Sequence, residues 1–397
     1  MRYLLLILMT LTFALESVAS VKVPLTEVLP QLLSADFKRY DSPFYSLYTD
    51  VSSDEASEAI LRMEKMATEY QARLEKLFVI KTRQRMPLVL FSKAGDYRRF
   101  GFDPDSAGVF TGEALFLIVK RDAAEAISER TWRVMQHEGF HQFAATVIRY
   151  SLPPWLNEGL ASYFEEAIFT GDGMVSGVIP LRRAQQVAQG LNSGRFVSIS
   201  KMMTMSQESW NAKLEGENYD QAWAMVHFLA NAEEGKYRVP FLRFLQSLAR
   251  GSSKEKAWTE TFGSSKGFES KWREFWLTLP LNSSLDQEAR AAVAGLSSFL
   301  GRGYGRGMVF SDFQNFIECD AQSLKTDPTD WLPPALYTRM QRLAVSLQQR
   351  NCTFSLEYQD GGLPQLVCTI PGGTKIVGRF TLNHTRMVNV STELVER

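Results

Sequence analysis

The run Thr131-Trp132-Arg133-Val134-Met135-Gln136-His137-Glu138-Gly139-Phe140-His141-Gln142-Phe143, followed after Leu152-Pro153-Pro154 by Trp155-Leu156-Asn157-Glu158-Gly159-Leu160-Ala161, decides the fold. Its first part reads as a helix from about Ser128 to Arg149. On a helix, positions i and i+4 share a face, so His137 and His141 can reach one ion while Glu138 stands beside it. Two neutral imidazoles and a carboxylate suit zinc, with a fourth position left open. The chain has only four histidines, which weighs against a chance pattern; the alternative is two surface histidines on a solvated helix face. Proline at the start of the second helix sacrifices no needed amide donor. The Pro-Pro break lets that helix fold back on the first and carry Glu158 toward the imidazoles as third ligand. The competing reading of Glu158 is an exposed helix carboxylate, a role that suits the adjacent Glu165 and Glu166 better.

Upstream, Phe44 to Asp50 reads as a strand, and Ser52 or Ser53 caps a helix whose apolar face runs from Ile60 to Leu77. Met86 to Phe91 and Ala114 to Val119 read as strands. Downstream, helical patterns cover Tyr219 to Ala230, Pro240 to Leu248 and Phe268 to Leu277. A polar stretch from Pro280 to Asp286 suggests a domain boundary. Beyond it a helical segment to Gln349 precedes four strands, Cys352 to Tyr358, Gln365 to Ile370, Lys375 to Leu382 and Arg386 to Ser391, which make a β meander. The expected layout is a signal peptide (1–19), a catalytic domain (20–280) and a C-terminal helical and β segment (285–397), an α+β chain overall.

Lys+Arg and Asp+Glu both number 44, so no net charge drives association with nucleic acid. Met1-Arg2, the apolar run Tyr3 to Leu15 and Ser17-Val18-Ala19 have the form of a cleavable signal, and the run is too short to span a membrane. The mature chain is therefore expected to be secreted or periplasmic, with no stable membrane insertion. Export permits disulfides. Cys352 and Cys368 are equidistant from Asp360, in the turn signal Asp360-Gly361, and are expected to pair across a hairpin; Cys319 is left as a buried thiol. Asn282, Asn351, Asn383 and Asn389 fit the glycosylation sequon. His227 lies on an apolar helix face and reads as a hydrogen-bonded core residue, and His384 as a turn residue. Gly301-Arg302-Gly303-Tyr304-Gly305-Arg306-Gly307 lacks phosphate-loop spacing and reads as a flexible interdomain loop.

The two blocks around His137 and Glu158 resemble the gluzincin metallopeptidases, especially the alanyl aminopeptidase and leukotriene hydrolase family, and still more the bacterial peptidase-MA-like domains of unknown function. A third block, Tyr219-Asp220-Gln221-Ala222-Trp223-Ala224-Met225-Val226-His227-Phe228-Leu229, is similar to the family segment that begins with a catalytic tyrosine. The resemblance spans roughly Phe44 to Leu279. It implies a thermolysin-like gluzincin domain with a small mixed sheet and a helical half. It further implies one zinc ion on His137, His141 and Glu158, Glu138 as general base and Tyr219 as donor to the oxyanion. Without it, Tyr219 is a packing aromatic at a helix start. Sixteen residues separate His141 from Glu158, fewer than in the aminopeptidase relatives, so the connecting loop is tighter. Nothing between Asp96 and Arg130 matches the Gly-x-Met-Glu-Asn segment that binds a free amino terminus, so exopeptidase action is not carried over.

The leading expectation is a zinc endopeptidase acting on proteins or peptides, with Ala114 to Val119 either an inner strand or an edge strand that pairs with extended substrate. A zinc hydrolase of a non-peptide bond and a catalytically idle extracellular binding protein are the alternatives.

Overall fold

The computed structural model describes residues 25–74, 85–103, 105–123, 125–148, 152–212, 216–280, 282–320, 323–324, 330–358, 362–383 and 388–395. The expected signal sequence, the Asp360-Gly361 turn and His384 lie outside them. The chain is mixed α+β and mostly helical, with three small sheets among the described residues.

A five-stranded sheet has the order β1-β2-β3-β5-β4, from β1 (Lys38–Asp41), β2 (Tyr45–Thr49), β3 (Met86–Phe91), β4 (Gly108–Phe110) and β5 (Leu115–Ile118). The three inner strands are parallel and almost wholly buried, as strands covered on both faces are. The outer two run antiparallel to their neighbours. The segment Ala114 to Val119 is thus not an edge: β4, a three-residue strand too short to leave a pattern, covers it. Gly108 allows β4 to lie against the helix behind it, for a Cβ there would meet Leu117 Cδ2 at 2.4 Å and Val134 Cγ1 at 2.9 Å.

The long helix Ser53–Leu74 starts at a capping box, with Ser52 and Glu55 satisfying each other's amides. It packs on the motif helix, Glu129–Val147, which Ser128 caps through the Thr131 amide. The return helix, Pro154–Glu165, begins with proline at its first position and packs on both the motif helix and the helix Gly216–Gly235. A Cβ on Gly159 would meet the Ala222 carbonyl oxygen at 2.6 Å, so glycine sets how closely the latter pair approaches. The return helix ends at Glu165 and runs into a two-stranded hairpin, β6 (Ile168–Phe169) and β7 (Met174–Val175).

From Leu285 onward a second hydrophobic cluster forms around the helices Leu285–Gly305 and Pro334–Gln348, against a meander of β8 (Thr353–Glu357), β9 (Gln365–Thr369), β10 (Lys375–Leu382) and β11 (Val388–Val395). Two expectations are corrected here. The glycine-rich run at 301–307 is largely helical: Gly301 faces Val388 and Phe380, where a Cβ would come within 2.8 and 2.9 Å, and Arg302 is buried. In the hairpin, Phe354 stands opposite Cys368. The register is centred one residue later than the spacing around Asp360 implies, which leaves Cys352 diagonal to Cys368. Both are buried free thiols joined by a hydrogen bond rather than a disulfide.

Candidate metal centre

His137 and His141 project from one face of the motif helix, their ring centroids 5.0 Å apart. Glu158, from the return helix, points its Oε2 at both, 3.4 Å from His137 Nε2 and 3.5 Å from His141 Nε2. One ligand atom from each residue lies within 4.8 Å of the others. Ligands about 2.0–2.1 Å from a tetrahedral ion are separated by roughly 3.3–3.4 Å, so the observed spacings fit a single small cation. The group is positioned to hold a metal ion.

Two tethers bring the helices to this register. Gln136, the residue before His137, is buried and donates through Nε2 to the carbonyls of Phe164 and Ala167 at 3.0 and 3.1 Å, clasping the end of the return helix. Gln142, the residue after His141, donates to the Pro87 carbonyl at 2.7 Å and ties the same helix to β3.

Glu165 and Glu166 are not the exposed carboxylates expected of them. His137 Nδ1 donates to Glu165 Oε2 at 3.2 Å, which turns Nε2 toward the ligand group as the nitrogen that a metal would take. Glu165 is in turn held by Arg183, and the 7% exposed Glu166 pairs with Arg183 and Arg133. Arg183 is itself buried, reaches Asp220 at 3.4 Å and lies over the Trp223 ring. Sequence reasoning missed this support; its one signal is that Glu165 lies seven residues past Glu158, two helical turns along the same face.

Burial pulls the His137 imidazole down, but hydrogen bonds to Glu158 and Glu165 outweigh it and raise it to about 10. Burial works upward on Glu158, yet hydrogen bonds from both histidines bring it to about 2. The two shifts describe one ion pair, so a metal would displace the His137 proton on entry. Glu138 stands beside the group with its carboxyl pushed up by burial, and accepts the Phe110 amide of β4 at 3.2 Å. Tyr219 is half-buried against Trp210; burial, and then the charges of Glu158 and Glu138, push its phenol up. His227 is a core residue as expected: 2% exposed, its Nε2 3.1 Å from the Gly177 carbonyl oxygen, it is driven down to about 4 by burial. A cavity of about 380 Å³ opens on Glu138, His141 and Glu158 and is lined further by Phe110, Ile148 and Leu152.

Residues 133–252 match the family described as "Protein of unknown function (DUF1570)", a span that holds His137, His141, Glu158 and the helix bearing Tyr219. No curated protein matches the chain. Among the described residues no helix is long and apolar enough to cross a membrane.

Proposed function

We propose that the chain is an exported zinc-dependent endopeptidase with a thermolysin-like gluzincin catalytic domain. The observation that carries it is the convergence of His137 Nε2, His141 Nε2 and Glu158 Oε2 on one point beside Glu138, at the edge of an open cleft. Two imidazole nitrogens and one carboxylate oxygen are a donor set of catalytic zinc sites. When bound, zinc polarises a carbonyl and lowers the pKa of water from 15.7 to about 7.

The protein's own groups supply the remaining steps. Glu138 accepts a proton from the attacking water and passes it to the leaving amine, and its burial-raised pKa suits a base that must also release that proton. The Phe110 amide orients the carboxylate. Tyr219, kept protonated, donates to the oxyanion as the carbonyl carbon becomes tetrahedral. Glu165 holds the His137 ring in the tautomer that ligation requires. The edge strand available to an extended substrate backbone is β4, with Phe110 lining the cleft. Export rests on the leader-like residues 1–19.

Metal content by mass spectrometry and hydrolysis of denatured casein, measured on the full chain and on Glu138→Gln, test this reading. The expected result is about one zinc per chain in both proteins and a rate lower by about 10²–10⁴-fold in the variant. A metal-free wild type, or a variant that cuts as fast, would refute it.

A further inference from the structure

We infer that a second basin beside the metal cleft is a distal substrate subsite that takes a polypeptide stretch carrying an apolar side chain and then an acidic one. The inference rests on the peptidase reading above and names the substrate class that reading leaves open.

The second basin, about 410 Å³, is lined by Pro153, Pro154, Met205, Leu248 and Lys254. Leu152 and Gln207 line both it and the metal cleft, so the two adjoin at those side chains, the saddle between them. Each volume alone lies in the range of about 300–1,000 Å³ that holds a small ligand. A compact substrate would fill the first and leave the second unused, whereas a chain running from β4 past the ligand group and over the saddle would fill both. Met205 and Leu248 offer an apolar floor, and the flexible thioether can adapt to different side chains. Lys254, half-buried in the lining of this basin, has no ion-pair partner among the described residues, so an arriving carboxylate would meet a cation not already neutralised.

The test maps the cleavage products of a denatured protein by mass spectrometry for metal-loaded wild type, Lys254→Glu and Lys254→Arg. Wild type and Lys254→Arg should enrich an acidic residue at one fixed position, several residues to one side of the cut. Lys254→Glu should lower that enrichment by about two- to fivefold, the weight of a solvent-accessible ion pair. A second variant, Gln207→Trp at the exposed saddle, should lower kcat/KM for long peptides relative to short ones. Identical maps for wild type and Lys254→Glu, together with an unchanged long-to-short ratio in Gln207→Trp, overturn the subsite and leave the peptidase standing. Absence of any product from metal-loaded wild type overturns both.

Discussion

Two clusters of buried charge, one in the cleft and one at the C-terminal region, are built from similar residue types to opposite ends. Arg302, on the helix Leu285–Gly305, spends its guanidinium on paired acceptors: both Asp172 oxygens at 2.8 and 2.9 Å, Asp330 Oδ1 at 2.7 Å and the Ser298 carbonyl. Every contact joins a donor to an acceptor, and the cluster locks the β6–β7 turn to the second core. In the cleft, His137 Nε2, His141 Nε2 and Glu158 Oε2 are three ligand atoms aimed at one point. Without metal the rings share protons with the carboxylate, and a cation entering the site would displace them. Donors fixed to matched acceptors hold a structure together; ligand atoms that share only exchangeable protons make a binding site. The histidines repeat the lesson, since His227, ringed by Tyr163, Trp223 and Trp276, is driven down to about 4 while His137, between two carboxylates, rises to about 10.

The largest expected effect comes from removing one of the converging ligand atoms. Glu158→Ala should abolish stoichiometric metal binding and hydrolysis together, a loss beyond the about 10–100-fold that supporting residues produce; retention of metal in competition with a chelator would break the contrast. Arg302→Met, by stranding Asp172 and Asp330, should cost about 3–5 kcal/mol of stability in urea denaturation while the folded variant keeps its metal affinity. The contribution of His227 has a defined sign. Its folded pKa lies below its unfolded value near 6.5, so its stabilisation is complete above that value and fades as pH falls toward 4. Comparing wild type with His227→Phe between pH 7 and 4 should reveal a difference on the order of 3 kcal/mol in that dependence. The smallest effect belongs to Glu165→Gln, whose amide oxygen still accepts from His137: metal affinity should fall about tenfold, the lower end for a supporting residue, and activity should return at higher zinc. An unchanged affinity would reduce Glu165 to a structural role.

Features written in local spacing were legible before any coordinates. The i, i+4 pair on the motif helix, the proline that opens the return helix, the buried runs of β2, β3 and β5 and the alternating strands of the meander all depend on neighbours in the chain. The polar edge strand β1 and the three-residue β4 escaped because neither carries a periodic apolar signal. The hairpin register slipped because it depends on the geometry of one turn, and a displaced centre separates Cys352 from its expected partner.

By itself the sequence determined that two imidazoles share a helix face and that a second helix must turn back beside them, because helical pitch and proline chemistry act within a few residues. Only the tertiary structure decided that Glu165 is an inward support rather than a solvated acid, that β4 is the strand bordering the cleft, and that a glycine-rich run packs as helix. Each of these turns on partners far away in the chain, Gln136 and Arg183 for Glu165, Val134 for Gly108, Phe380 for Gly301, and such pairings leave no trace in local spacing.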